Sequence, residues 1–137
     1  MAAKGKSLKV IAVSVAAAAI VGLGVVPGVQ EACAASAKYS FAEDVVPIFK
    51  GRCVQCHASG GEGAEKSGLD LTTYEGVMKG TKFGAMVVPG DAQSSNLMRL
   101  LDWRVSPEIR MPHGKKKLST CDRDAIRGWI NEGAKNN

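Results

Sequence analysis

The feature that most restricts this chain is a five-residue motif, CVQCH, at residues 53–57. Two cysteines separated by two residues are followed at once by a histidine. Such a motif serves in three kinds of site: a structural metal site, a redox-active dithiol, or the attachment point of a c-type haem. Each of these sites requires a different fold around it, so the rest of the sequence has to discriminate among them.

The surrounding sequence favours haem attachment. A thioredoxin-like dithiol is expected within a βαβ pattern, and no strand alternation flanks the motif. A structural zinc site needs a second ligand pair, for which only His113 and Cys121 remain, eight positions apart. In a c-type site two thiols one helical turn apart bond to the haem vinyl groups, and the next residue reaches the iron. We therefore predict one covalent haem c per chain, anchored by Cys53 and Cys56, with His57 as an axial iron ligand.

Residues 1–34 have the layout of a secretory signal peptide. Residues 1–9 contain three lysines and no acid, residues 10–26 are apolar and rich in alanine, and an A-x-A-like site ends at Ala34. We predict export to the periplasm and a mature domain over residues 35–137. The alternative is that residues 10–26 are retained as a membrane anchor, although this run is slightly shorter than the roughly 20 residues of a typical span.

Export affects the interpretation of the two remaining cysteines, because an oxidising compartment favours disulfides over exposed thiols. Cys33 leaves with a signal that is cut after Ala34, and Cys121 is then expected to be a buried, inert thiol on a helix. If the N-terminal segment is retained, a disulfide between Cys33 and Cys121 stays open as an alternative.

The mature domain carries a mild positive charge, with 15 basic and 12 acidic side chains over residues 35–137. This balance suits docking to acidic protein surfaces. There is no arginine-rich stripe of the kind that indicates nucleic-acid binding, so nucleic acid is not an expected partner.

Helical periodicity and capping residues predict an all-α fold for this domain. The predicted helices lie at Ser40–Arg52, from about Thr72 to Lys79, from Ser94 or Ser95 to Leu101, and from Ser119 or Thr120 to just before Gly133. Pro47 is awkward within the first of them and could split it. The glycine-rich residues 58–68 are predicted to form a loop.

The second axial ligand of the iron decides what such a protein can do, and four methionines are available in the mature domain. Met78 and Met98 fall on predicted helices among apolar neighbours, where core packing is expected. Met111 lies in a loop and is followed by a proline, an arrangement that suits a thioether held at a fixed distance from iron. We predict Met111 as the ligand, with His113 and Met86 as alternatives.

The order of several further segments resembles class I monohaem cytochromes c, and most narrowly the cytochrome c-like domain first described in planctomycete proteins. The resemblance covers roughly residues 40–134. It rests on F-x-x-x-V-x-P-I-F before the haem motif, GLDLTTYEGVMKG, VVPGD followed by SSNLMRLL, RMPHG, and LSTCDRDAIRGWINEGA. The family usually has Met-Pro-Pro where this chain has methionine, proline and His113, a departure that keeps His113 among the candidate ligands.

The resemblance implies a cytochrome c fold, in which a few short helices wrap around one covalently attached haem. It also implies that the helix before the haem motif crosses the C-terminal helix. On this chain that crossing would bring Val45 and Phe49 near Ile126, Trp129 and Ile130. Core packing is therefore the expected role of Trp129.

The first functional hypothesis is an electron-transfer protein rather than an enzyme. With His57 and Met111 both bound, the iron has no open site and can only pass one electron between exported redox partners. A membrane-bound oxidase, a dehydrogenase or a photosynthetic reaction centre would suit as a partner. Lys115–Lys117 could surround the haem edge with positive charge and speed the encounter.

Two alternatives remain open. A five-coordinate haem would make the protein an enzyme or a gas sensor for peroxide, NO or CO, with Arg104, Arg110 and His113 near enough in sequence to assist. The protein could also be a fixed electron-transfer subunit of a larger membrane redox complex, with membrane contact only through a retained N-terminal segment.

Overall fold

The computed structural model of the chain describes residues 38–137, so the predicted signal peptide and its anchor alternative lie outside the described residues. The helical elements are a π-helix at Phe41–Val45, α1 Val46–Arg52, α2 Val54–His57, α3 Glu62–Ser67, α4 Tyr74–Lys79, α5 Asn96–Leu101, a 3₁₀ helix at Pro107–Ile109, and α6 Thr120–Asn131. This part of the chain has no sheet, only an isolated backbone bridge between Thr81 and Gly84, which confirms the all-α prediction. None of its helices combines the length and hydrophobicity that a bilayer span requires.

The first helical segment is continuous through Pro47 because its hydrogen-bonding pattern changes just before the proline. Ser40 caps it, with its hydroxyl accepting a hydrogen bond from Glu43 N at 3.2 Å. The backbone N–H of Val46 then reaches back five residues to Phe41 O, which defines the wider π turn. Pro47 consequently stands in the first turn of α1, where its missing N–H costs no helical hydrogen bond.

The N-terminal helical segment packs against α6, as the resemblance implied. The rings of Phe41 and Trp129 lie 5.2 Å apart, and the Trp129 side chain is 1% exposed. Its indole N–H donates to Lys135 O at 2.8 Å, so the polar end of the buried ring is satisfied. The core role predicted for Trp129 is confirmed. Other members of this core are Val45, Phe49, Met98, Ile126 and Ile130.

The close approach of the Tyr39 ring to α6 depends on Gly128. The Tyr39 ring lies directly over this glycine, and a β-carbon there would overlap the ring. The aromatic ring therefore takes the space that any larger residue would need.

Side-chain caps and a glycine mark the ends of α4 and the start of α6. Thr73 accepts from Gly76 N at 3.0 Å at the start of α4, and Gly80 ends that helix at a φ of +78°. Ser119 accepts from Asp122 N at 3.0 Å at the start of α6.

Two sequence expectations were wrong. The stretch predicted to be a loop at residues 58–68 contains the helix α3, which is held locally by a Lys66–Glu62 pair at 2.6 Å and by Ser67 Oγ donating to Gly63 O at 2.6 Å. Cys121 is disulfide-bonded, rather than the inert thiol expected after signal cleavage.

Asp102 joins the end of α5 to α6. It lies just past the last residue of α5 and receives hydrogen bonds from Arg123 Nη1 at 2.8 Å and Arg127 Nη2 at 2.9 Å. Burial raises the pKa of Asp102, but the hydrogen bonds and charges of Arg123 and Arg127 outweigh it and hold the pKa below its usual value. The carboxylate therefore stays ionised and fixes the point where the chain leaves α5.

Candidate haem site

The CVQCH motif opens onto a cavity of about 990 Å³. This volume lies at the upper end of the range of about 300–1,000 Å³ that is common for cofactor and ligand sites. Much of the lining is apolar. It includes Phe49, Leu69, Leu71, Leu97, Leu100, Leu101 and Val105.

Both cysteines of the motif are free thiols that line this cavity. The backbone N–H of Cys53 donates to Phe49 O at 2.8 Å, which continues the turn of α1 into the motif. The backbone N–H of His57 donates to Cys53 O at 3.0 Å, so the motif forms one helical turn. That turn places Cys53, Cys56 and His57 along one wall of the cavity.

The environment of Cys53 argues against a redox dithiol. Burial raises the pKa of its thiol to about 11, and the positive charge of Arg52 only partly opposes this effect. Reactive dithiols depend on a lowered pKa, because the thiolate is the nucleophile. Nor do residues 38–137 bring together three or more His, Cys, Asp or Glu side chains in a way that could hold a metal ion.

His57 is held in an orientation that suits an axial ligand. Its Nδ1 lies 3.3 Å from Leu69 O, and its own carbonyl accepts from Leu71 N at 2.8 Å. With the ring proton on Nδ1, that nitrogen donates to Leu69 O and Nε2 keeps its lone pair for a metal. A carbonyl partner of this kind fixes both the tautomer and the plane of a ligating imidazole.

Gly63 of α3 is a site residue that the sequence did not reveal. A β-carbon at this position would lie 2.9 Å from His57 Nε2, His57 Cε1 and Cys56 O. The helix can therefore approach the imidazole this closely only with glycine at position 63. Because the stretch was interpreted as a loop, no sequence signal assigned this contact.

The cavity also brings together all three candidates for the second axial ligand. Met111, Met86 and His113 line it, and among them Met86 is 7% exposed and belongs to the buried core. Met98 is completely buried in the core, as expected from its sequence context, and is not part of the lining. The assignment of Met111 rather than Met86 or His113 stays a prediction.

Among the three candidates, Met111 has hydrogen bonds at both its backbone N–H and its backbone carbonyl. Its N–H donates to Leu100 O at 3.3 Å, and its carbonyl accepts from Trp103 Nε1 at 2.9 Å. Both partners lie at or just beyond the end of α5. The position of the thioether therefore depends on where that helix ends.

Two exposed apolar side chains also line the cavity, and the sequence did not predict them. Phe83 is 81% exposed in the turn between Thr81 and Gly84, and Ile109 is 51% exposed in the 3₁₀ helix. Both belong to the lining. Their loops show no periodicity, so nothing in the sequence indicated that these side chains face a common space.

The charged groups around the cavity are mostly cationic. The lining carries Arg52, Lys66, Arg99 and Lys115 against Glu62 and Glu108. Lys117, which the sequence grouped with Lys115, instead turns inward, where its Nζ donates to Asp102 O at 2.7 Å and lies 5.7 Å from the Trp103 ring centre.

The arginines considered for an enzymatic haem pocket have other partners. Arg110 lies over the Trp103 ring at 5.4 Å, and Arg104 Nε lies 3.8 Å from Asp102 Oδ2. Neither is part of the cavity lining, whereas His113 is.

Haem fits the residues that are present. Cys53 and Cys56 supply two thiols on one helical turn, His57 supplies an imidazole, and a thioether side chain lines the same cavity. The apolar wall and the volume suit a large planar cofactor, and the surrounding cations suit its carboxylates.

Comparison with known families agrees with this chemistry. Residues 53–113 match the model of a family described as Planctomycete cytochrome C, a segment that begins at the first cysteine of the motif and ends at His113. The match confirms the resemblance seen in the sequence, and it supports haem binding and haem-based electron transfer. The flanking parts of the expected resemblance, residues 40–52 and 114–134, lie outside the matched segment. Comparisons with curated proteins and with solved structures found no match.

Proposed function

We propose that this chain, whose motif segment matches the planctomycete cytochrome c family, is a single-haem c-type cytochrome that shuttles one electron between exported redox partners. Cys53 and Cys56 hold the haem covalently, and His57 and Met111 are its axial ligands. The protein is a carrier, not an enzyme. The proposal covers residues 35–137 as an exported, periplasmic domain.

One observation carries the proposal: a single cavity is lined by both thiols of the motif, by the His57 imidazole and by Met111. When bound, haem supplies an iron that alternates between Fe(III) and Fe(II). The chain does the rest. The cysteines would fix the cofactor in place, Leu69 O orients the imidazole, and the Met111 thioether would bind the iron and so exclude small molecules.

The charges around the cavity support a partner with an acidic surface. Lys115 and Lys116 are exposed, and Lys115 Nζ donates to Oε1 of Gln55, a residue of the motif, at 3.1 Å. Arg52 Nη2 donates to Lys116 O at 3.3 Å, which keeps a further cation close by. Positive charge at this edge would speed the encounter with an acidic redox protein, and salt would weaken the effect.

The visible spectrum of the reduced, haem-loaded protein with and without CO tests the proposal. The expected result is no change, because His57 and Met111 occupy both axial positions. The Met111→Ala variant should bind CO and provides the positive control, whereas Met86→Ala and His113→Ala should still exclude it. A CO complex in the unmodified protein would overturn the carrier assignment in favour of a five-coordinate enzyme or sensor.

A further inference from the structure

We propose that Trp103 is a positioning residue for the axial methionine, and that its indole N–H holds Met111 at the distance from which the thioether binds iron. This inference rests on the proposed function, since it presumes that Met111 is the ligand. It adds a residue to the site that neither the motif nor the family resemblance pointed to.

The first support is the contact itself. Trp103 Nε1 donates to Met111 O at 2.9 Å, and Met111 N donates to Leu100 O at 3.3 Å. The loop between α5 and Met111 is thus closed by two hydrogen bonds on the same residue. With both polar backbone groups fixed, the remaining freedom of Met111 is that of its side chain.

The second support is that the indole is itself held in place. The Arg110 guanidinium lies 5.4 Å from its ring centre and Lys117 Nζ lies 5.7 Å away. Both distances fall within the range of about 6 Å in which a cation is attracted to an aromatic face. Lys117 also donates to Asp102 O at 2.7 Å, which couples the ring to the residue that α6 fixes.

The third support is the backbone of Trp103, whose φ of +62° lies in the left-handed region. Bulky side chains disfavour this region, and such a conformation persists where surrounding contacts over-determine it. The conformation here directs the indole from the end of α5 to the Met111 carbonyl. The chain of contacts therefore runs from α6 through Asp102 and Trp103 to Met111.

The test uses the haem-loaded protein and the variant Trp103→Phe, which keeps an aromatic ring for the cations and removes the N–H donor. Trp129→Phe is the matched control, because it loses an equivalent indole N–H, the one bound to Lys135 O, away from the cavity. The measurements are the dissociation constant of imidazole for the ferric protein and the sulfur-to-iron charge-transfer absorption.

We expect Trp103→Phe to bind imidazole about 3- to 10-fold more tightly than the unmodified protein, since the loss of one hydrogen bond weakens the competing methionine by that factor. Its charge-transfer absorption should weaken as well. Trp129→Phe should leave both readouts unchanged. Arg110→Met keeps the indole but removes one of the cations that hold it, so it should also tighten imidazole binding, by a smaller factor. This variant replaces Trp103→Phe in the test if Trp103→Phe does not fold.

Three outcomes would overturn the inference. If the unmodified protein excludes CO but Trp103→Phe and Arg110→Met match it in both readouts, Trp103 does not position the ligand, and the carrier proposal stands. If both tryptophan variants shift equally, the effect is a general loosening of the fold. If the unmodified protein already binds CO, the proposed function fails and the inference fails with it.

Discussion

Gly63 of α3 lies against the imidazole of His57, so that a β-carbon at position 63 would come within 2.9 Å of both Nε2 and Cε1 of the ring. Real β-carbons do not tolerate such a contact, and the backbone carbonyl oxygen of Cys56 would lie at the same distance from it. Helix α3 can therefore lie this close to the His57 ring because it carries glycine at position 63.

Gly63→Ala should displace the His57 imidazole or push α3 away from it. We expect a lower yield of haem-loaded protein and weaker axial ligation, seen as a change in the visible spectrum towards a five-coordinate or mixed state. Gly51→Ala is the matched control, since a β-carbon at position 51 in α1 meets nothing within 4 Å. Alanine there should be neutral or stabilising, by up to about 1 kcal/mol. Equal behaviour of the two variants would contradict the close contact at Gly63.

Asp102→Asn is expected to lower the free energy of unfolding by about 1–3 kcal/mol at neutral pH, because Arg123 and Arg127 lose a charged acceptor. The pKa of Asp102 is lowered in the folded protein, so the unfolded chain binds more protons between the two pKa values and stability rises with pH across that interval. The contribution of Asp102 is complete above the ordinary pKa of about 3.9 and is lost as pH falls through the folded pKa.

Denaturant unfolding as a function of pH measures this contribution. The difference between the unmodified protein and Asp102→Asn should be constant near neutral pH and should shrink as the pH falls through the acidic range. Glu75→Gln, at an exposed position on α4, should show almost no difference at any pH. If the difference in free energy of unfolding between the unmodified protein and Asp102→Asn did not change with pH, Asp102 would stabilise the fold through packing and not through its charge.

The parts of the fold that the sequence predicted well are those encoded by neighbouring residues. The hydroxyls of Ser40 and Ser119 each accept a hydrogen bond from the backbone N–H three residues on, and Gly80 ends α4 in a positive-φ conformation. These are local interactions, so the residue types alone indicate them. The motif is local too, and its two cysteines and His57 line one cavity, while their roles at a haem stay a prediction.

The parts that the sequence did not predict depend on contacts between distant elements. Glycine at position 63 reads as a loop former, yet here it permits helix α3 to approach His57. Trp103 in a left-handed conformation would not be predicted from an aromatic residue, because intrinsic preference disfavours it. The sequence predicts Lys117 to be one of three exposed lysines, whereas its hydrogen bond to Asp102 O turns its side chain inward.

The orientation of Lys117 changes how the docking hypothesis should be tested. Replacing all three lysines would disturb Trp103, so the informative variant is Lys115→Gln with Lys116→Gln. We expect reduction by an acidic redox protein to slow about 2- to 10-fold at low ionic strength and its salt dependence to become shallower. The measurement is the second-order rate constant as a function of salt concentration.

The control for charge is Lys50→Gln with Lys79→Gln, which removes the same two charges from exposed positions outside the cavity lining. This variant should keep most of the rate and most of the salt dependence. If both double variants slow equally, net charge rather than the cavity edge governs the encounter. If neither slows, the lysines beside the cavity are simply solvated and the partner docks elsewhere.

Ile109→Ala should destabilise the haem-loaded protein by about 1–2 kcal/mol. The Ile109 side chain lines the cavity, so bound haem would bury its apolar surface, and alanine would remove most of that buried surface. The matched control is Val88→Ala, since Val88 is 41% exposed, close to the 51% of Ile109, but lies away from the lining. Truncation at Val88 should change the free energy of unfolding by less than about 0.5 kcal/mol. Denaturant titration of both haem-loaded variants gives the comparison. A loss at Ile109 no larger than that at Val88 would mean that the 3₁₀ helix does not cover the haem.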